Sequence, residues 1–175
     1  MMASTHRLAG AAAGLAVATA TGAGLLHTAV TTGIAALTSA GATSPDIDQQ
    51  GAWKTADAVL PDELAGHGGP LRHRGIAHWW GLPVLAGVIA VRTVPVQWQW
   101  LVGAALVGWA SHLLADFVFG KASPYQGRGP GIPLAPWWWH VGLGMDTGGR
   151  LESAVRWLAL PAVLAWQVIT LLRGS

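Results

Sequence analysis

Thr93-Val-Pro-Val-Gln-Trp-Gln-Trp-Leu-Val-Gly-Ala-Ala-Leu-Val-Gly108-Trp-Ala-Ser-His112-Leu-Leu-Ala-Asp116 is the stretch on which the fold turns. From Thr93 to Ala115 it contains no Lys, Arg, Asp or Glu. After Pro95 it is long enough for one membrane-spanning helix, which needs about 20 apolar residues. Near its end stand His112 and Asp116. Positions i and i+4 share one helix face, so the imidazole and the carboxylate are stacked to grip one metal ion. An ionisable residue inside an apolar span is costly to desolvate and marks a functional site by default. The competing reading is an interhelical hydrogen-bonded pair.

The rest of the chain fits the same solvent. Of 175 residues, 52% are hydrophobic and only 10% charged, where a soluble domain carries roughly a quarter charged residues. Mean hydropathy is positive. Eleven Trp against two Phe and one Tyr suit the membrane–water interface. With no cysteine, disulfides and thiolate ligands are excluded, and any metal must be held by His, Asp and Glu. The pI of about 9.7 rests on a net charge of only +2. No Lys/Arg cluster accompanies it, so no nucleic-acid partner is expected.

These features predict an all-α, polytopic membrane protein of a single domain, residues 1–175, with about five spans. Leu8 to Pro45 is uncharged, too long for one comfortable span and short for two. Thr21-Gly-Ala-Gly24 offers a turn, giving helices at about 7–21 and 25–42. Their Ala, Gly and Thr surfaces allow close backbone approach. A third span runs from His78 to Val94, a fourth from Gln97 to Phe119 and a fifth from Ser153 to Leu172. A Gly- and Pro-rich loop, 120–150, carries Trp137-Trp-Trp139 to the interface. A short amphipathic helix is expected at 52–65. A secretory signal peptide is the rival reading of the N-terminus; the missing Leu-rich centre argues against it.

Five spans put the N-terminus and the 43–77 and 120–152 loops on one side. That side holds Arg7, Lys54, Arg72, Arg74, Lys121, Arg128 and Arg150. Arg92 and Arg173 fall on the other. The positive-inside rule makes the basic side cytoplasmic, in a multi-pass protein of the cell membrane. His6, Pro45-Asp-Ile-Asp48, His73-Arg74-Gly75, His78, His112 and Asp116 then all lie at that one face.

Metal chemistry suits this set. His6, Asp46, Asp48, His73, His78, His112 and Asp116 are the candidate ligands of one or two divalent ions, zinc first and manganese second. In an extended segment Asp46 and Asp48 would face the same way, both as ligands or one as the base. Cap or turn roles are the plainer alternative for either. His78 is expected in the first turn of the third span. Arg74 matches an anionic substrate, or else a headgroup or a salt bridge. Asp46, Asp48 and Arg74 are the catalytic candidates. His27, without a nearby acid, reads as a hydrogen-bonded core histidine, and His67 as solvated. His140 and Asp146 are weaker candidates for a second metal site.

Thr5-His6, Pro45-Asp-Ile-Asp48, His73-Arg-Gly-Ile-Ala-His78 and Gly108-Trp-Ala-Ser-His-Leu-Leu-Ala-Asp116, in that order, resemble the YdjM-like family. Gly131-Ile-Pro-Leu-Ala-Pro136 resembles its segment after the fourth span. Two departures are visible: Ala77-His78-Trp79 stands where the family reads Thr-His-Ser, and Thr43-Ser44 precedes Pro45 in place of bulky apolar residues. The resemblance implies an inner-membrane, metal-dependent hydrolase, in some members LexA-regulated. More remotely, His6, Asp46 or Asp48, His73, His112 and Asp116 follow the ligand order of zinc-dependent phospholipase C and the single-strand-specific zinc nucleases. That likeness implies a phosphoester substrate, such as a phospholipid or lipid-linked phosphate at the bilayer surface. A metal-binding structural or transport protein without turnover is the alternative.

Overall fold

The computed structural model describes residues 2–49, 59–61, 71, 74–120, 131–135 and 140–174. The expected helix at 52–65 and the Trp137–Trp139 run fall outside them, apart from 59–61. Five helices dominate: α1 (Ala3–Ala20), α2 (Leu25–Thr38), α3 (Gly81–Thr93), α4 (Gln99–Phe119) and α5 (Arg150–Arg173). A π turn, Val155–Ala159, interrupts α5. Short 3-10 turns stand at Pro45–Gln49, Ile76–His78 and Val96–Trp98. A small antiparallel hairpin pairs β1 (Ile132–Pro133) with β2 (His140–Val141).

The first charge-free stretch is two helices, as its Gly-containing centre predicts. Gly22 adopts φ +68°, a left-handed conformation that glycine reaches without a Cβ penalty. Gly22 N–H then bonds Thr19 O at 3.1 Å and Ala23 N–H bonds Ala18 O at 3.0 Å. This is a Schellman closure, satisfying the last carbonyls of α1. Helix α2 ends at Thr38, four residues short of the expected 42. Ser39 Oγ donates to Ala36 O, and Gly41 takes φ +89°, which turns the chain away.

Helices α1, α2 and α4 meet on small residues. Ala35 is fully buried. Gly10 and Gly14 of α1 lie so close to α2 that a Cβ on either would strike Ser39 or Ala35. A Cβ on Gly108 of α4 would strike Thr38 Oγ1 and the Ala35 carbonyl. Thr38 Oγ1 also donates across to Ala105 O at 3.0 Å. Among the described residues, seven of the ten buried apolar ones are alanines, while Leu26, Val88, Trp157 and Trp166 are among the large side chains left outside. Packing of this kind suits lipid, where close van der Waals approach of helices replaces burial of bulky side chains.

Two helical segments, Val96–Phe119 and Arg150–Arg173, are long and apolar enough to cross a membrane. The helices Leu25–Thr38 and Gly81–Thr93 are apolar but shorter. At about 1.5 Å per residue they reach only about 20 Å.

Candidate functional site

The helix arrangement gathers the polar motifs at one end of the bundle. His6 lies in the second turn of α1, inside the helix rather than ahead of it as expected. Asp46 follows α2 on the Pro45–Gln49 turn. His78 precedes α3, and His112 and Asp116 lie in the last two turns of α4. His6, His78, His112 and Asp116 are each at most 2% exposed.

Asp116 is the hub. Its Oδ1 lies 3.4 Å from His6 Nε2. Its Oδ2 lies 3.4 Å from His78 Nε2 and 3.6 Å from His112 Nε2. Asp46 Oδ1 stands 3.4 Å from His78 Nε2 and 3.6 Å from His112 Nε2. The two Nε2 atoms of His78 and His112 are 3.3 Å apart, and the His6 ring stacks on His112 with centroids 3.7 Å apart. Five side chains from four parts of the chain therefore share one centre.

His112 is oriented by the backbone. Its Nδ1–H donates to the Ser39 carbonyl at 2.8 Å. Gly108, one turn earlier, makes this contact possible by letting α4 close on α2. With the proton at Nδ1, a neutral His112 turns the Nε2 lone pair toward two carboxylates. Acceptors facing acceptors require a cation or a shared proton between them. A histidine held at its far nitrogen by a carbonyl is the usual outer support of a metal ligand. Two ligands about 2.0–2.1 Å from one tetrahedral ion stand about 3.3 Å apart, close to the spacings here. His6, Asp46 and His112 form one triad able to hold an ion, and His78, His112 and Asp116 another. Both use His112.

Arg74 closes the site. It is 6% exposed and its Nε lies 3.7 Å from Asp116 Oδ2. Its Nε and Nη1 have no hydrogen-bond partner among the described residues. Arg74 adopts φ +60°, which costs a non-glycine residue energy and persists only where the surroundings enforce it. His140 Nε2–H donates to the Arg74 carbonyl at 3.0 Å and supplies part of that enforcement. His140 thus supports Arg74 through this nitrogen. Gly120 stands against Arg74 from the other side: a Cβ there would meet the Asp116 carbonyl and Arg74 Nη1.

Asp46 differs from Asp116 in access, being 20% exposed against 2%. Burial alone would raise the Asp46 carboxyl. The hydrogen bond to His78 and the imidazoles of His112 and His78 outweigh it and hold the group below the usual carboxylate range.

Other expectations are modified. The Pro45–Gln49 segment is a 3-10 turn, not extended. Pro45 fixes its own φ, Asp46 N–H bonds Ser44 Oγ at 3.2 Å and Ile47 N–H bonds Ser44 O at 3.0 Å. Alternation by two residues therefore does not align Asp48 with Asp46, and the Asp48 side chain lies outside the described residues, as do His73 and His67. His78 ends its own 3-10 turn ahead of α3, because Trp79 is extended, with φ −72° and ψ 122°. His27 is exposed and packs edge-on against Trp100, with centroids 4.7 Å apart; it is not a core histidine. Asp146 sits in the turn before α5, its carbonyl accepting from Gly149 N–H.

One buried acid that supports the site was missed. Glu152, 1% exposed, accepts hydrogen bonds from Met2 N–H and Thr5 Oγ1, both at 2.8 Å, and from Gly148 N–H at 2.6 Å. It ties α5 to the turn of α1 that carries His6. The signal was faint, since the fifth span was expected to begin at Ser153, one residue after Glu152.

A family model described as YdjM inner membrane protein matches residues 1–173. The chain belongs to that family. No curated protein and no solved structure matches it, so the remoter likeness to the zinc phosphodiesterases has no counterpart among them.

Proposed function

We propose that this inner-membrane protein is a metal-dependent hydrolase of an ester or phosphoester, its site opening at the cytoplasmic face. The observation that carries the reading is the convergence of three buried imidazoles and two carboxylates at 3.3–3.6 Å, beside a buried arginine. His6, Asp46, His78, His112 and Asp116 would hold one or two zinc or manganese ions, with His73 and Asp48 as further candidates. When bound, the ion supplies Lewis acidity and makes water acidic enough to attack near neutrality. Asp116 keeps the three imidazoles in register. Asp46 is the acid that water reaches, which suits it to accept the proton of the attacking water; Asp48 is the alternative base. Arg74 presents Nε and Nη1 to the oxygens of an anionic substrate. A phospholipid or lipid-linked phosphate is the first substrate class to test.

We further propose that all five helices cross the bilayer, with the N-terminus and the 120–150 loop inside and the C-terminus outside. Arg92 and Arg173 then mark the outer ends of α3 and α5. Reporter fusions in the loop and after Arg173 should read opposite sides; the same side at both would remove this topology.

Elemental analysis of purified protein should find about one or two ions per chain. Arg74→Ala should keep the metal and lower kcat/KM for anionic substrates by roughly tenfold or more. If the metal-loaded protein cleaves no ester or phosphoester in a panel of phospholipids and lipid phosphates, the non-catalytic metal-binding reading replaces hydrolysis.

A further inference from the structure

Between α3 and α4 lies a cavity of about 550 Å³, lined by Trp80, Val84, Leu106, Ala110, Leu114 and Phe117 among others. Its walls are almost wholly apolar. It is open on one side, since Trp80, Val84 and Leu114 are 48%, 57% and 65% exposed. In an inner-membrane protein that opening meets the hydrocarbon of the bilayer.

The groove shares its framework with the candidate metal centre. Phe117 and Leu113, both lining residues, directly follow Asp116 and His112 in α4. Trp80 stands two residues after His78, and its indole N–H donates to Leu134 O at 3.3 Å, as does that of Trp79 at 3.0 Å. Ile132, another lining residue, pairs with Val141 beside His140, whose ring holds the Arg74 carbonyl. One end of the groove is therefore built by the same turns that carry His78, Asp116 and Arg74. At that end the buried guanidinium keeps two donors without hydrogen-bond partners among the described residues.

We infer that the groove holds the alkyl chain of an anionic membrane lipid, with its phosphate group turned to Arg74 and the metal cluster. The inference rests on the hydrolase reading of the site and names the substrate's chemistry: a phosphate-bearing lipid taken sideways from the bilayer, not a soluble ester. Apolar walls give the chain no polar competitor. Among the described residues the buried cation, Arg74, belongs to the end built by the His78 and Asp116 turns, which sets the direction in which the lipid lies. Indoles anchored beside that end match the depth at which headgroup and chain meet. The outer face of α5 is also apolar but offers no comparable setting: Trp166 and Leu172 are 69% and 64% exposed, with no buried cation beside them among the described residues.

The test uses the full chain, metal-loaded, in phosphatidylcholine vesicles containing a long-chain alkyl phosphate with a photoreactive group near the chain end. Labelling should saturate and concentrate on the α3 and α4 walls. Unlabelled alkyl phosphate should compete, and an alkanol of equal length should not. Ala110→Trp, which fills the groove from an exposed position, should cut labelling by roughly tenfold while metal content is unchanged. Val84→Trp fills it from the opposite wall, should Ala110→Trp fail to fold. Arg74→Ala should erase the preference for phosphate over alkanol. Labelling that spreads evenly to Trp166 and Leu172, ignores both fillings, or gives way to crosslinks between two copies of the chain overturns the proposal. Saturable binding without turnover supports the groove and overturns hydrolysis. Lipid turnover with an unlabelled groove overturns the groove alone.

Discussion

The segments that contain α4 and α5 are matched in length and apolar character, 24 residues each with their 3-10 and π turns counted, yet they hold opposite places in the molecule. Of the apolar stretch of α4, 39% is buried inside the protein; of α5, none. The difference lies in the residues that interrupt the apolar pattern. Helix α4 carries Gly108, His112 and Asp116 along one stripe, so one face fits against α2 and feeds the polar centre. Helix α5 has Glu152 near its start, and beyond Arg156 only apolar and neutral residues until Arg173. It packs along α1, tied to it at that end by Glu152, and leaves its bulky side chains outward. Hydrophobicity decides that a helix can enter a membrane; small and ionisable residues decide which helix becomes the interior of the bundle.

The largest expected effect comes from breaking the α4 stripe at its closest approach. Gly108→Leu forces a side chain against the Ala35 carbonyl and Thr38, neither of which is a flexible side-chain end. Overpacking of that kind costs about 3 kcal/mol or more. It should lower the thermal midpoint in detergent and remove the metal as well, because the His112–Ser39 contact depends on the same approach. Retained metal with an unchanged midpoint would mean that α4 does not owe its place to Gly108.

A step below, His112→Ala and Asp116→Asn should separate the centre from the fold. His112→Ala deletes the ligand common to both triads, and Asp116→Asn removes the charge that neutralises a bound cation. Bound metal should fall to a small fraction of the wild-type content while helicity by circular dichroism persists. The side chains lie at the end of α4, away from the Gly108–Ala35 contact. If His112→Ala unfolds the bundle instead, the polar cluster is primarily a staple. The matched control is Leu158→Ala on the outer face of α5, which should leave metal content unchanged.

Much of this contrast was legible before the structure. The break at Thr21–Gly24 and the i, i+4 pair in α4 are local properties of the chain, and so is the polar side shared by His6, Asp46 and His78 once five helices are counted. The turn at Pro45–Gln49 was misjudged because its form depends on the Ser44 hydroxyl, which competes for the backbone. The roles of His140 and Arg74 were hidden for another reason. A left-handed Arg74 and the ring that holds its carbonyl are 66 residues apart, and no local pattern announces such a pair. Glu152 was overlooked because the fifth span was expected to begin at Ser153, which left this acid in the loop ahead of it, where no partner is demanded.

Glu152→Gln tests the polar link between α5 and α1. The carboxylate accepts from three donors, and an amide would place its own NH2 toward at least one of them. Charge-assisted hydrogen bonds of this kind contribute about 1.5–3 kcal/mol each when removed singly, less when the donor finds water. Thermal unfolding should therefore show a moderate loss, smaller than that of Gly108→Leu. Metal affinity should weaken without vanishing, because Thr5 positions the turn that carries His6 while the other ligands keep their supports. Unchanged metal affinity with the same loss of stability would show α5 to be independent of the centre.

The smallest effect is expected where α4 itself lacks the constraint. Gly103 lies in the same helix as Gly108, but a Cβ built there meets nothing within 4 Å. Gly103→Ala then carries no steric cost. It reduces the freedom of the unfolded backbone and improves helix propensity, together worth about 0.4–1 kcal/mol. The variant should bind metal as the wild type does and unfold at the same or a slightly higher temperature. A clear loss of stability would mean that another surface packs on Gly103, a lipid or a second copy of the chain, and that the interior face of α4 extends five residues further than the contacts at Gly108 define.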